Sequence, residues 1–322
     1  MERIRDGVSR RDAVKIGVGA GVALTLAPLT RWQRAFAQSG PLIEKAIPSS
    51  GEKIPVIGMG TARFFDAVTP ELREVIKRFV ELGGRVIDTA PSYSNAESVV
   101  GDIIGDLKNR PRYFLATKVT GRRRGEPTGT SNEREFAAAS MHESMRRLHT
   151  DRIDLMQIHN LIGVDERLPV LREWKQAGRV RYVGITTSFD NQYPQFEMVM
   201  REQSLDFIQV DYAIDNRGVE QRILPLATER GMAVLVNSPF GRSRVFQRVQ
   251  GKPLPDWASE IDCTSWAQLF LKYLASHPSV TCVIPGTERV QYLVDNMAAS
   301  RGRMPDAALR RRIEQYYDGL AA

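Results

Sequence analysis

Arg85-Val-Ile-Asp-Thr-Ala-Pro-Ser-Tyr93 is the stretch that decides the fold of this chain. Val86 and Ile87 are apolar and β-branched, which is typical of a short strand that is covered on both faces of a parallel sheet. The strand ends in the carboxylate of Asp88, and a turn then places the phenol of Tyr93 five residues later. The stretch therefore predicts a buried strand whose carboxyl end carries reactive polar side chains.

Two further apolar runs end in the same way. Tyr113–Thr117 is followed directly by Lys118, and Ile153–Ile158 is followed directly by His159. In a parallel barrel the carboxyl ends of all strands meet at one mouth, where such barrels carry out their chemistry. We therefore expect Lys118 and His159 to lie close to Asp88.

The remainder of the chain repeats this pattern. Eight short apolar segments alternate with eight segments of helical periodicity, and no glycine-rich fingerprint follows the first strand. Together with the polar residues at successive strand ends, this favours a closed barrel over a doubly wound open sheet. The predicted fold class is an α/β (β/α)8 TIM barrel, with an N-terminal β-hairpin over Leu42–Ile54 and an extra C-terminal helix over Pro305–Tyr317.

Within this pattern, three segments receive specific assignments. The first barrel strand is predicted at Val56–Gly58, and a helix is predicted at Val219–Arg230, where Gly231 ends it. Gly241–Ser259, rich in glycine, arginine and proline, is predicted to be a long loop after the seventh strand.

Residues 1–37 have the features of a targeting segment rather than of a folded element. Ser9–Lys15 matches the twin-arginine (Tat) export pattern, and Ala35-Phe-Ala37 matches a signal-peptidase site. The apolar stretch between them, Ile16–Leu29, is short for a hydrocarbon core of about 30 Å. We predict a Tat signal peptide at 1–37 and one barrel domain at 38–322, with an uncleaved membrane anchor as the alternative. The predicted location is periplasmic or secreted, after folded export by the Tat machinery and without stable membrane association after cleavage.

Composition limits the other function classes. The 322 residues are 42% hydrophobic, and the formal net charge is +7. The first 37 residues carry seven Lys or Arg and three Asp or Glu, so +4 of this charge belongs to the predicted signal. No nucleic-acid partner is therefore implied, and Arg122–Arg124 are predicted to lie in a solvated loop. Cys263 and Cys282 lack metal-ligand spacing, so we expect core residues and no metal site.

The order and spacing of these segments resemble the aldo-keto reductase family. The resemblance covers residues 43–296, from Ile43 to Asn296. The segments that carry it are Val86–Tyr93, Ala116–Val119, Arg152–His159, Val183–Ser188, Ile208–Tyr212, Asn237–Gly241 and Val283–Thr287.

The resemblance implies a reaction and four catalytic residues. Hydride moves from C4 of a reduced nicotinamide to the carbon of an aldehyde or ketone, and Tyr93 donates the proton to the oxygen. A free tyrosine has a pKa of about 10, and the ammonium of Lys118 is expected to lower it. Asp88 is expected to hold Lys118 in place, and His159 to orient the carbonyl of a small-molecule substrate.

The resemblance also implies NADP as the cofactor, with NAD possible. Thr187 and Gln209 match positions that hold the nicotinamide carboxamide, and Arg289 at a helix start suits a 2′-phosphate. Asn237 stands where many members stack an aromatic ring on the nicotinamide, so that stacking is lost or supplied by another group. Ala62 and Arg63 stand where many members have a large aromatic residue, so we expect a wider substrate pocket. The predicted cofactor contacts are Thr61, Arg63, Asp88, Thr187, Gln209, Ser238, Phe240, Gly241, Arg242, Arg244, Gly286, Thr287, Arg289 and Asn296.

Two other functions remain open at the level of the sequence. One is a non-catalytic nicotinamide-binding module with a redox-sensing or regulatory role. The other is a Schiff-base aldolase barrel that uses Lys118 as its nucleophile. Fold alone does not choose among these functions.

Overall fold

The computed structural model describes residues 40–120 and 133–320. The described barrel belongs to one compact unit, Pro41–Ala322. The predicted signal peptide and the predicted loop at Arg122–Arg124 lie outside the described residues, so the domain boundary after residue 37 stays a prediction. Within the described ranges, no helix is long and apolar enough to cross a lipid bilayer.

The hairpin predicted before the barrel is present. Strands β1 (Glu44–Ala46) and β2 (Lys53–Pro55) pair antiparallel. Ile47 and Ile54 are fully buried in a cluster with side chains from the first residues of several barrel strands. The hairpin therefore closes the amino-terminal end of the barrel, and the active-site mouth lies at the other end.

Eight parallel strands form the barrel, and each pairs with the next along the chain. Nearly all of their side chains are buried, as expected for strands that are covered by helices outside and packed residues inside. The strands are β3 (Met59–Gly60), β4 (Val86–Asp88), β5 (Phe114–Val119), β6 (Ile153–Ile158), β7 (Val180–Thr186), β8 (Phe207–Asp211), β9 (Ala233–Asn237) and β10 (Cys282–Val283).

The last strand closes the barrel against the first. The amide of Gly58 donates to the carbonyl of Val283 at 2.8 Å, and the amide of Val283 donates to the carbonyl of Val56 at 2.9 Å. Nearer the mouth, a Cβ on Gly60 would lie 2.9 Å from the carbonyl oxygen of Ile284, so glycine permits the close approach. The predicted (β/α)8 barrel is confirmed.

Ten α-helices of at least five residues occur in the described ranges, interspersed with short 3₁₀ turns. The first shows how the sequence sets their bounds, since Thr69 accepts the amide of Leu72 as N-cap and Pro70 occupies the first turn. The helices are α1 (Pro70–Glu81), α2 (Ala96–Leu107), α3 (Glu133–Arg147), α4 (Val164–Gln176), α5 (Tyr193–Glu202), α6 (Ile223–Glu229), α7 (Arg244–Arg248), α8 (Trp266–Ala275), α9 (Val290–Ala298) and α10 (Ala307–Gly319).

The three segments that received specific assignments differ from their predicted bounds. The first strand is Met59–Gly60 rather than Val56–Gly58, because the earlier residues pair only through isolated bridges with the last strand. The helix predicted from Val219 begins at Ile223, after a 3₁₀ turn. The segment predicted as a loop over Gly241–Ser259 contains α7 and 3₁₀ turns at either end. Both cysteines are buried and unpaired, as predicted.

The predicted C-terminal helix, α10, packs on the segment that follows β9. The guanidinium of Arg248, at the end of α7, donates to the carbonyls of Asp318 and Leu320, both at 2.9 Å. Trp257 contacts the ring of Tyr316 edge-on, with centroids 5.6 Å apart. The final helix therefore holds residues 241–261 against the mouth of the barrel.

Candidate active site

The four predicted catalytic residues converge at the carboxyl ends of three neighbouring strands. Asp88 is the last residue of β4, Lys118 lies on β5, and His159 follows β6 directly. Tyr93 lies in the turn between β4 and α2, and its ring meets that of His159 edge-on at 5.8 Å between centroids. The barrel thus brings together Asp88 and His159, which are 71 residues apart in the sequence.

Lys118 and Asp88 form a buried ion pair. The ammonium nitrogen lies 2.8 Å and 2.7 Å from the two carboxylate oxygens, and it also donates to the carbonyl of Thr89 at 2.9 Å. Gln209 donates to the same carboxylate at 3.3 Å and accepts a hydrogen bond of 3.0 Å from Gln157. All three donors of the ammonium are used, so the direction of the lysine side chain is fixed.

The pair sets the charge beside Tyr93. Burial opposes the charged form of Lys118, but Asp88 and Tyr93 together outweigh it and raise the pKa of the ammonium above its usual value. Burial also raises the pKa of Asp88, against the opposing effect of the ammonium. We conclude that the pair carries little net charge as a unit, with the positive end towards the phenol.

The predicted lowering of the Tyr93 pKa is wrong in its net direction. Burial raises the pKa of Tyr93, and the ammonium of Lys118 acts in the predicted, lowering sense without overcoming burial. The lysine nitrogen lies 4.8 Å from the centroid of the tyrosine ring. The phenol is therefore protonated at neutral pH, and the neighbouring cation favours the phenolate that proton donation would leave behind.

His159 is neutral in this site. Burial, followed by the charge of Lys118, lowers the pKa of its imidazole to about 3. One ring nitrogen, Nδ1, lies 3.4 Å from the hydroxyl of Ser92. In the residues the structure describes, Nε2 has no hydrogen-bond partner. A neutral imidazole can donate one N–H to a carbonyl oxygen without adding charge to the site.

Tyr93 and His159 line a cleft of about 360 Å³. A second cleft of about 500 Å³ adjoins it and shares Phe64, Phe240, Ser243 and Gly286 with it. The combined shape, with a polar reactive end and an aromatic far end, suits an extended dinucleotide. The predicted cofactor residues that line the two clefts are Thr61, Arg63, Asp88, Gln209, Ser238, Phe240, Arg242, Gly286, Thr287, Arg289 and Asn296.

Three predicted cofactor residues do not line either cleft. Thr187 is fully buried, and its hydroxyl donates to Gln192 at 2.6 Å. Gly241 is buried and has a φ of 53°, a backbone shape that suits glycine. Arg244 pairs with Asp215 at 2.9 Å. These residues shape the loops of the mouth rather than its inner surface.

Residues next to the predicted ones line the cleft instead. Ser188 follows Thr187 and donates to the side chain of Asn237 at 3.3 Å, and both side chains face the reactive cleft. Asn160, which has a φ of 52°, also lines it. Their position at the end of β9 or just beyond the ends of β6 and β7 is the signal that could have identified them. The aromatic residues of the far cleft, among them Trp266 and Tyr292, give no such signal.

The profile of the "Aldo/keto reductase family" matches residues 56–314. The chain belongs to the aldo/keto reductase family. It is therefore an NAD(P)-dependent oxidoreductase, and the predicted nicotinamide cofactor is confirmed at the level of the family.

Individual aldo/keto reductases are similar to this chain over the stretches that align with it. Methylglyoxal reductase YeaE of Escherichia coli is 26% identical over 274 residues, which cover 83% of this chain and 93% of that protein. Aldo-keto reductase YhdN of Bacillus subtilis is 30% identical over 168 residues. That match covers 51% of this chain and only 50% of YhdN.

Solved structures of aldo/keto reductases have the same fold. The holo form of AKR11C1 from Bacillus halodurans has a TM-score of 0.69 and 25% identity, and the match covers 88% of this chain and 98% of that one. An aldo/keto reductase from Klebsiella pneumoniae, solved with NADP and acetate, has a TM-score of 0.68 and 23% identity. The second match covers 86% of this chain and 96% of that one.

Proposed function

We propose that this aldo/keto reductase uses NADPH to reduce a small-molecule aldehyde or ketone to an alcohol, or catalyses the reverse, with Tyr93 as the proton donor. The observation that carries the proposal is the position of Tyr93. Its ring lies 5.8 Å from the neutral imidazole of His159, centroid to centroid, and 4.8 Å from the ammonium of Lys118, and it lines the reactive cleft.

Each side chain has a separate task in this reaction. A bound reduced nicotinamide would supply the hydride, which adds to the carbonyl carbon. Tyr93 gives its proton to the carbonyl oxygen, and solvent later returns a proton to the phenolate. Lys118 stabilises that phenolate, and Asp88 keeps the lysine charged and directed. His159 donates a hydrogen bond to the carbonyl oxygen and so polarises and orients it.

The chain's own residues fit an NADP dinucleotide. Gln209 and Ser188 line the reactive end, where an amide and a hydroxyl can hold a carboxamide. At the far end, Arg289, Thr287 and Asn296 line the aromatic cleft next to the start of α9. A guanidinium there suits a 2′-phosphate, which favours NADP over NAD. The NADP complex of the Klebsiella relative supports this preference.

The environment of Lys118 argues against the aldolase alternative. A Schiff-base nucleophile needs a neutral, accessible amine, because the lone pair attacks the carbonyl. Lys118 is 1% exposed, directs all its protons to oxygen atoms and has a raised pKa. Only a measurement of turnover distinguishes the proposed reductase from the alternative, a non-catalytic nicotinamide-binding module.

The test is NADPH oxidation with a panel of aldehydes and ketones, with NADH in parallel. We expect turnover of at least one carbonyl, faster with NADPH, and an alcohol product in equal amount to the cofactor consumed. Tight NADPH binding without turnover of any member would instead support the non-catalytic module.

We also propose that the protein is exported in its folded state by the Tat pathway, on the strength of Ser9–Lys15 and Ala35–Ala37. Folded export permits a cofactor that was bound in the cytoplasm to travel inside the barrel. Such a cofactor must be recycled in place by a second substrate or an electron-transfer partner. Tight binding sites differ from weak ones mostly in a slower off-rate, so a tightly bound nucleotide is retained during export. Protein isolated from the periplasm should then contain about one nucleotide per chain. Protein that is empty and binds NADPH weakly would contradict this proposal.

A further inference from the structure

The reactive cleft has an excess of positive charge. Among the described residues that line it, apart from His159 and the protonated Tyr93, three can carry a charge: Arg63, Asp88 and Arg242. Asp88 is balanced by Lys118 at 2.7 Å. His159 is neutral because its pKa lies at about 3. Two guanidinium groups therefore line a cleft in which Asp88, the one carboxylate among the described lining residues, is already paired.

The two arginines lie in different surroundings. Arg242 follows β9, in the segment that borders both clefts, and its charge acts on the carboxylate of buried Asp211. That position suits the phosphates of a dinucleotide that extends between the clefts. Arg63 lies in the loop after β3 and is exposed. Across the described part of the chain, its guanidinium has no hydrogen bond or ion pair with another side chain.

The loop that carries Arg63 is fixed beside the loop that carries Tyr93. At one end, the amide and the hydroxyl of Thr61 both donate to the carbonyl of Asp88, at 3.1 Å and 3.0 Å. At the other end, the side chain of Asn95 donates to the carbonyl of Asp66 at 2.9 Å. Arg63 lies between these two connections, so its backbone is held alongside the catalytic turn.

Apolar surface lies next to this guanidinium. Phe64 and Phe189 line the same cleft and are 37% and 48% exposed, although large aromatic rings usually avoid water. Ala62, also at the cleft, presents only a methyl group and leaves space beside Arg63. The cleft therefore offers a reactive centre, an apolar wall and a cation in sequence.

We propose that Arg63 binds the carboxylate of the substrate, and that the preferred substrates are aromatic or similarly apolar aldehydes and ketones that carry a carboxylate; this rests on the reductase function proposed above. The carbonyl oxygen meets Tyr93 and His159, the apolar body packs on Phe64 and Phe189, and the carboxylate meets the guanidinium. A planar guanidinium donates two parallel hydrogen bonds to a carboxylate, which suits it for this task. In this proposal Arg63 determines substrate specificity. This role replaces the cofactor contact that was predicted for Arg63 from the sequence.

The test compares two substrates that differ only in charge, 4-carboxybenzaldehyde and methyl 4-formylbenzoate, with NADPH. For the wild type we expect a higher kcat/KM with the acid. Arg63→Gln should lower kcat/KM for the acid by about 10- to 100-fold, because a hydrogen bond to a charged group is lost. The same variant should change kcat/KM for the ester by less than about threefold. Arg63→Lys should recover part of the loss. Arg73→Gln, on the outer helix α1 where Arg73 pairs with Asp106, is the matched control and should change neither.

The outcomes separate this proposal from the reductase function. If the wild type reduces neither substrate and no other carbonyl, the reductase proposal fails. If it reduces both and Arg63→Gln slows both equally, Arg63 is not a carboxylate site and the present proposal alone is overturned. Measured binding of NADPH completes the comparison, since weaker binding in Arg63→Gln with equal loss for both substrates would assign Arg63 to the cofactor.

Discussion

The ammonium of Lys118 lies 4.8 Å from the centroid of the Tyr93 ring while its protons point to Asp88 and Thr89. The lysine therefore acts on the phenol chiefly through its charge. The buried tyrosine keeps its proton until a carbonyl oxygen takes it, and the cation then offsets part of the cost of the buried phenolate. The site is arranged for proton donation rather than for a resting phenolate.

Tyr93→Phe should abolish most of the activity and leave cofactor binding intact, because the ring remains and only the proton is lost. We expect a fall in kcat of about 10²–10⁴-fold, the usual contribution of a positioned acid. Tyr182→Phe is the control, since its hydroxyl binds Ser50 and Glu52 at the hairpin end of the barrel. A Tyr93→Phe enzyme with near wild-type turnover would remove Tyr93 from the mechanism.

Lys118→Met should move the pH profile of alcohol oxidation to higher pH. The lysine charge lowers the pKa of Tyr93, so its removal raises that pKa further, and the phenolate needed for oxidation forms only at more alkaline pH. The variant also leaves Asp88 buried without its partner, at a cost of about 3–5 kcal/mol.

Adding Asp88→Asn to Lys118→Met removes the unpaired buried carboxylate. The double variant should recover most of the stability in urea unfolding but none of the activity. Recovery of activity together with stability would show that the lysine only supports the fold.

The stability of the protein should fall with acid partly through His159. The pKa of this imidazole is about 3 in the folded protein, against an ordinary value of 6.5. Because its pKa is lowered, His159 contributes a stability that is fully present above pH 6.5 and is lost as the pH falls towards 3. Between pH 7 and pH 5 the loss is about 2 kcal/mol by linkage.

His159→Gln has no group that titrates in this range, so its urea midpoint should fall less than that of the wild type over the same interval. His277, whose pKa is about 4, contributes a similar loss in both proteins and serves as an internal reference. Equal pH dependence in the two proteins would mean that His159 is charged or solvated in the folded state.

Arg289→Ala should weaken NADPH binding by about 10- to 100-fold and NADH binding much less, since a charged hydrogen bond to the 2′-phosphate is lost. Equilibrium titration with each cofactor measures the difference. Arg244→Ala is the matched control, because Arg244 pairs with Asp215 and lies outside both clefts. An equal loss for both cofactors would give Arg289 a structural role.

Replacing Arg10 and Arg11 together by lysine should retain the protein in the cytoplasm, because the twin arginines at Ser9–Lys15 are the proposed export signal. Cell fractionation with an antibody to the barrel measures the distribution. Replacement of Arg31 and Arg34 by lysine controls for the loss of arginine elsewhere in the segment. Arrival of the first variant in the periplasm would exclude the twin-arginine route.

The sequence predicted those parts of the site that depend on strand ends. Each of three residues, Asp88, Lys118 and His159, occupies or directly follows the end of an apolar run. The alternation of strand and helix patterns and the length of each run were therefore enough to place them at one mouth of the barrel. The net pKa of Tyr93 was not predictable in this way, because it depends on how completely the phenol is buried.

Loop geometry accounts for the other differences. Thr187 and Ser188 differ by one residue along the chain, yet one faces inward to Gln192 and the other lines the cleft. Likewise, the helical turns within Gly241–Ser259 are fixed by tertiary contacts with the last helix rather than by a periodic apolar face. Contacts between residues far apart in sequence leave no local pattern to read.

The contact between Arg248 and the carbonyls of Asp318 and Leu320 also has a consequence for biosynthesis. The segment beside the cofactor clefts is held by residues that follow every barrel strand in the chain, so they leave the ribosome after all of the strands. A nascent chain that lacks α10 has the catalytic strands but not the helix that holds this segment in place. Firm retention of the nucleotide would therefore mark a chain that includes α10, and a product truncated before α10 would release it.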